Sequence, residues 1–198
     1  MKPRVKICGI TNLKDALLAA DLGAHAVGFV FYKGSKRYIS YAGARSIVEK
    51  LPPFIMKVGV FVNEGIGDVL AAKEFCILDR IQLHGDSSRL KELLPGISIM
   101  AYQIRNEKDI EEARKSPSFP LLDSGADNRY GGTGKKFNWQ LLENFGRPYI
   151  LAGGISVENI DEALALTPYA IDLASGIEKS AGVKDHDKMR TLFRRIHR

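Results

Sequence analysis

Val5-Lys6-Ile7-Cys8-Gly9-Ile10-Thr11 reads as a short strand, Val5 to Cys8, that stops at a glycine. A helix signal follows at once: Thr11 or Asn12 as N-cap, Asp15 in the first turn, then Ala16, Leu17, Ala20 and Leu22 at helical spacing. The junction puts Cys8 at the carboxyl end of the strand, beside a helix N-terminus. A thiol has an ordinary pKa of about 8.5 and acts as base or nucleophile only as the thiolate. A neighbouring helix N-terminus or cation favours that form. The plainer alternative is a buried structural cysteine, since free cysteine is among the most buried residue types.

The same strand-then-helix unit recurs along the chain. Ala26-Val27-Gly28-Phe29-Val30-Phe31 is a continuous apolar run of the kind buried on both faces in a parallel sheet. A loop rich in Lys, Gly and Ser, Tyr32 to Ser40, leads into a helix from Tyr41 to Leu51 that Pro52-Pro53 ends. Further strands are expected from Ile55 to Val62, Asp79 to His84, Ile97 to Gln103, Ser118 to Asp123, Pro148 to Ala152 and Tyr169 to Leu173. Helices are expected from Ile66 to Phe75, from the Gly85-Asp86-Ser87 turn to Leu94, and from Glu107 to Lys115, Asn138 to Phe145, Ser156 to Leu166 and Asp185 to His197.

Eight strands alternating with eight helices argue for an α/β protein with a parallel sheet and helices outside it. Eight such units fit a closed (β/α)8 barrel, the TIM barrel. The rival is a doubly wound open sheet. No Gly-x-Gly-x-x-Gly follows the first strand, which weakens a dinucleotide-binding version of it. With no linker-like or low-complexity stretch, residues 1–198 are expected to form a single barrel domain.

Composition agrees with a soluble globular chain: 45% hydrophobic and 26% charged residues. Met1-Lys2-Pro3-Arg4 is not followed by the apolar run of a secretory signal, and Ala26 to Tyr32 is too short to cross a bilayer. Cys8 and Cys76 give no disulfide framework, so a reducing, cytoplasmic setting is expected. The 29 Lys and Arg against 23 Asp and Glu leave a net charge of +6. Much of the excess lies at Lys184, Lys188, Arg190, Arg194, Arg195 and Arg198. Such a chain can favour nucleic acid or a small anionic substrate; a solvated basic face on a terminal helix is the plainest account.

A barrel of this kind carries its site at the carboxyl ends of its strands. Those ends supply Cys8, Arg37 in the loop after the second strand, His84, Asp123, Gly153-Gly154, and Asp172 with Ser175-Gly176. Gly153-Gly154-Ile155-Ser156 runs from a strand into a helix, and Ser175-Gly176-Ile177-Glu178 runs from the last strand toward a short extra helix. Glycines let backbone N–H groups approach an anion, and barrel phosphate sites often follow strands seven and eight. Each residue has a plainer role as well. Glycines end strands, Asp123 can cap the long Ser124–Lys136 loop, and Arg37 can be one more solvated cation beside Lys33 and Lys36. His84 is expected to pack or support rather than bind metal, having no partner at ligand spacing.

Several of these segments together resemble one family, the phosphoribosylanthranilate isomerases of tryptophan biosynthesis. They are Lys6-Ile7-Cys8-Gly9-Ile10-Thr11; Gly28-Phe29-Val30-Phe31 with Ser35-Lys36-Arg37-Tyr38; Val58-Gly59-Val60-Phe61; Gln82-Leu83-His84-Gly85; Leu122-Asp123 with Gly131-Gly132-Thr133-Gly134 and Phe137-Asn138-Trp139; Leu151-Ala152-Gly153-Gly154; and Asp172-Leu173-Ala174-Ser175-Gly176-Ile177-Glu178, then Lys184-Asp185. Ala174 departs from the small polar residue that the family carries before its Ser-Gly.

The resemblance implies an Amadori rearrangement of N-(5-phospho-β-D-ribosyl)anthranilate, without metal or organic cofactor. It implies Cys8 as general base and Asp123 as general acid. Arg37 would hold the anthranilate carboxylate, with His84 and Asp172 also toward the substrate. Gly153, Gly154, Ser175 and Gly176 would hold the phosphate. The expected partner is a small phosphosugar, with no nucleic acid and no membrane, in a monomer or homodimer. Related barrels remain as rivals. Indole-glycerol-phosphate synthase would use a lysine acid, and no lysine stands at a strand end here. The histidine-pathway sugar isomerase would put a carboxylate where this chain has Cys8.

Overall fold

The computed structural model describes residues 2–85, 94, 96–124, 138–142 and 144–197. Eight strands close into one barrel in sequence order: β1 (Arg4–Cys8), β2 (Ala26–Val30), β3 (Met56–Val62), β4 (Arg80–His84), β5 (Ser98–Ile104), β6 (Phe119–Ser124), β7 (Ile150–Leu151) and β8 (Ala170–Leu173). All neighbouring pairs are parallel, and β1 shuts the ring by pairing with β8, Lys6 opposite Asp172. Six α-helices stand among the described residues: α1 (Leu13–Asp21), α2 (Tyr41–Val48), α3 (Ile66–Phe75), α4 (Glu107–Arg114), α5 (Ile160–Ala165) and α6 (His186–Ile196).

Strand alternation sorts the barrel into two cores. Val5, Ile7, Val27, Phe29, Phe61, Ile81, Leu83, Leu122, Leu151 and Ile171 face outward. They pack with Ala16 and Ala19 of α1, Ile47 of α2, Val69 of α3, and Met189, Leu192 and Phe193 of α6. The opposite parity faces the lumen. Toward the amino ends of the strands it is apolar, a cluster of Ala26, Val58, Ile99, Leu121, Ile150 and Ala170. Toward the carboxyl ends the same parity brings in Lys6, Cys8, Gln82, His84, Asp123 and Asp172.

Helix starts follow their caps. Asn12 accepts from the Asp15 N–H at 2.9 Å and opens α1. Asn106 and Asp109 form a capping box at α4. Asp185 caps α6, whose last turn carries Arg194 and Arg195.

Three expectations need correction. Among the described residues of the segment from Asn138 to Phe145, the helical part is a 3-10 turn, Trp139–Leu142. Asn144 at φ 62° and Gly146 at φ 81° turn the chain away before a second helical turn forms. The helix after β7 begins at Ile160 rather than Ser156, because Asn159 accepts from the Ser156 N–H and donates to the Gly154 carbonyl, each at 2.8 Å, and folds that stretch into a turn. The chain after Ser175 forms a hairpin, β9 (Glu178–Ser180) and β10 (Val183–Lys184), not a short helix. The expected helix toward Leu94 and the Gly131-Gly132-Thr133-Gly134 motif, with the rest of its loop and Phe137, lie outside the described residues.

Candidate active site

A pocket opens at the carboxyl ends of the strands. Cys8, Arg37, His84, Asp123, Gly153, Gly154, Asp172 and Ser175 all line it, with Val30, Val60 and Leu121 as apolar wall. Gly176 does not line it but is bridged to Ser156, so the loops after β7 and β8 are joined to each other. Neither loop runs straight into a helix: a turn precedes the helix that starts at Ile160, and a hairpin follows β8, which departs from the expected strand-to-helix junctions. What remains is a pair of adjoining backbone loops.

Cys8 is buried, and its surroundings run against the expectation of a thiol eased toward thiolate by α1. Burial pushes the thiol up, Asp172 pushes it further, and Lys6 and Lys184 only partly offset this. Lys6, two residues earlier on the same face of β1, donates to Asp172 Oδ1, Asp172 Oδ2 and Gln82 Oε1, each at 2.9 Å. Burial alone would lower the Lys6 ammonium, but Asp172 and Cys8 outweigh it and leave it raised. Because Gln82 Oε1 accepts from Lys6, its amide N–H faces His84 Nε2, 2.8 Å away. That makes His84 Nε2 the acceptor and the ring neutral. Burial, then Lys6, drop the His84 pKa to about 4.

Asp123 sits on β6, three strands round the ring from β1. Burial and the nearby Asp172 raise its pKa to about 7, against hydrogen bonds from Ser124. A carboxyl that still holds its proton near neutrality suits a general acid. Gly153 makes this packing possible. Its φ of +83° is left-handed, and a β-carbon there would come within 2.5 Å of Asp123 Oδ1.

Arg37 is not a solvated cation. It donates from Nε to Glu178 Oε1 at 2.9 Å and from Nη2 to Glu178 Oε2 at 2.7 Å. One edge of the guanidinium is thus occupied by a protein carboxylate. Lys184, grouped above with the basic terminal face, is buried too. Its Nζ donates to Glu178 Oε1 at 2.9 Å, to the Cys8 carbonyl at 2.6 Å and to the Ala174 carbonyl at 3.2 Å. Burial would raise the Glu178 carboxyl, but Arg37 and Lys184 hold it below its ordinary value. The hairpin therefore fastens the arginine to the backbone of β1 and to the loop after β8.

A family model described as N-(5'-phosphoribosyl)anthranilate (PRA) isomerase matches residues 5–195. The chain belongs to the phosphoribosylanthranilate isomerase family. A relative of that name from Acidithiobacillus ferrooxidans is 44% identical, over 98% of this chain and 97% of its own length. The crystal structure of the phosphoribosylanthranilate isomerase from Thermotoga maritima superposes with a TM-score of 0.91 at 42% identity, covering 98% of both chains. Another solved isomerase, 39% identical with a TM-score of 0.88 over 98% of both chains, is described in complex with reduced 1-(o-carboxyphenylamino)-1-deoxyribulose 5-phosphate.

In and around this pocket, sequence reasoning assigned no site role to Lys6, Gln82, Glu178 or Lys184. Lys6 and Gln82 carried a usable signal. Each stands two residues before a chosen site residue, and strand alternation puts the two on one face. Glu178 and Lys184 carried no such signal, since Glu178 meets an arginine 141 residues away.

Proposed function

We infer that this chain converts N-(5-phospho-β-D-ribosyl)anthranilate to 1-(2-carboxyphenylamino)-1-deoxyribulose 5-phosphate, an aldose–ketose step of tryptophan biosynthesis. The observation that carries the site assignment is one pocket lined by both a proton-holding carboxyl, Asp123, and a thiol, Cys8, on different strands. The Asp123 carboxyl gives its proton to the ribose ring oxygen. The C1–O bond breaks, and the anilino nitrogen lone pair closes an iminium. The Cys8 thiolate then takes the proton from C2, and those electrons neutralise the iminium to give an enolamine. Reprotonation at C1 and loss of the enol proton yield the ketone. Each bond change is driven by a proton transfer, so acid and base suffice and we propose no metal or organic cofactor.

Arg37 is assigned to the anthranilate carboxylate, through the guanidinium edge that Glu178 leaves open. Gly153, Gly154, Ser175 and Gly176 are assigned to the phosphate, where the two joined loops offer backbone N–H groups. His84, a neutral acceptor locked by Gln82, and Asp172, held by Lys6, flank the sugar. One barrel domain spanning residues 1–198, working in the cytoplasm as monomer or homodimer, completes the proposal. Cys8 and Cys76 are both free thiols, and no helix among the described residues is long and apolar enough to cross a membrane. The test is a fluorescence assay of phosphoribosylanthranilate consumption by the purified chain. Turnover to the ketose is expected; absence of turnover by folded protein contradicts the assignment.

A further inference from the structure

Beneath the pocket floor lies a cation that these proton transfers do not use. Lys6 is 4% exposed and is not itself part of the pocket lining. Its ammonium meets both Asp172 oxygens and Gln82 Oε1 at 2.9 Å, and it stands two residues before Cys8 on the same lumen-facing side of β1. Gly28 on the neighbouring strand keeps the two together. A β-carbon there would stand 2.8 Å from Cys8 Sγ and 3.2 Å from Lys6 Nζ. A buried ammonium is destabilising unless its protons are satisfied. Here Asp172 and Gln82 satisfy it and fix its charge beside the thiol.

We propose that Lys6 is a positioning residue for the isomerisation: its ammonium, fixed beside the Cys8 sulfur, steadies the negative charge that the sulfur carries as base. The proposal rests on the reading of Cys8 as the base. Other charges bear on the sulfur as well. Asp172 on β8 opposes the thiolate, while Lys184 on the hairpin supports it through contact with the Cys8 carbonyl. Arg37, His84 and Asp123 line the same pocket, with His84 neutral. When the thiol ionises, its proton leaves to solvent and the charge forms beside Lys6. When the thiolate takes the C2 proton, the electron pair passes into the substrate and Lys6 keeps all its protons.

The test compares the native enzyme with Lys6→Met, Lys6→Gln and Lys6→Arg. Carbamidomethylation of Cys8 by iodoacetamide is followed against pH by peptide mass spectrometry, which separates it from Cys76. Both neutral variants are expected to move the Cys8 midpoint up by at least about one pH unit, a roughly tenfold slower modification at fixed pH below it. The Arg variant should recover most of the shift. The pH profile of kcat should move with the midpoint. A midpoint unchanged or lowered in the neutral variants overturns the proposal, as does an activity loss that only follows the folded fraction.

Should neither neutral variant fold, the native protein with 13C-labelled lysine still decides. The Lys6 Cε resonance is expected to titrate with the Cys8 midpoint, and a resonance indifferent to it overturns the proposal. Alkylation needs no turnover. A native enzyme without isomerase activity but with the shifted midpoint in the variants sinks the isomerase reading alone. The converse sinks only the role of Lys6.

Discussion

The two ends of the barrel lumen are built from one alternation pattern and do opposite work. Toward the amino ends, Ala26, Val58, Ile99, Leu121, Ile150 and Ala170 fill the ring with apolar side chains. Toward the carboxyl ends, inward positions of the ring carry Lys6, Asp123 and His84, all buried, with Asp172 partly so. The lower layer stabilises the ring by removing apolar surface from water, about 1.5–3 kcal/mol for a large side chain. The upper layer buries charge, which costs stability unless each group is paired or neutral. Lys6 and Asp172 meet that demand as a pair, and His84 and Asp123 by shifting toward their neutral forms. The contrast teaches that one half of the lumen holds the fold while the other spends part of that stability on poised proton donors and acceptors.

The sharpest way to break the contrast is to neutralise Asp123 permanently. Asp123→Asn should lower kcat by about 10²–10⁴-fold, the usual share of a general acid, with smaller change in KM. A variant within a few-fold of native kcat would remove Asp123 from the chemistry.

At the other end, Ile150→Ala should cost about 2–5 kcal/mol of stability, measured by urea denaturation, and leave kcat of the folded enzyme near native. If the stability loss falls well below that range, the lower layer is not the ring's packed core.

Stability against pH separates the two layers again. The Asp123 pKa is raised in the folded chain to about 7, so its contribution favours folding at low pH and is lost as pH rises from about 4 through 7. Asp123→Asn should therefore be more stable than the native chain at pH 8, by at most about 4 kcal/mol, with the gain vanishing below pH 4. His84 has the opposite sign. Its pKa is lowered to about 4, so its stability is present above about 6.5 and is lost as pH falls through 4. Denaturant midpoints for the two chains that stay parallel across pH would contradict the Asp123 assignment.

The smallest effect is on binding. Arg37→Met should weaken the affinity for the ketose product by about 1.5–3 kcal/mol, the range for a hydrogen bond to a charged group. Unchanged affinity by titration calorimetry would mean that Arg37 only anchors Glu178.

These tests also mark where the sequence was legible. Hydrophobic period and punctuation located all eight strands, because a strand buried on both faces reads as an apolar run with glycine at its end, as at Cys8-Gly9. The barrel then placed Cys8 and Asp123 on one face. Pairings across the ring were not legible. Lys6 and Asp172 lie 166 residues apart, and nothing local in either predicts the other. The thiol's environment was misread for a related reason. Proximity to the start of α1 was visible in the sequence, whereas burial and Asp172 enter only once β8 closes on β1. The shortened helix after β7 failed because Asn159 satisfies backbone groups through its side chain and competes with helical hydrogen bonds.

The central claim is that an acid and a base on separate strands act on one substrate in the carboxyl-end pocket, and Cys8→Ala tests it most directly. Its single-turnover rate with phosphoribosylanthranilate should fall at least about 100-fold below that of the native enzyme, with product affinity and the folded state, checked by circular dichroism, preserved. A near-native rate in folded Cys8→Ala would contradict the account, return Cys8 to a packing role and leave the C2 proton to another group.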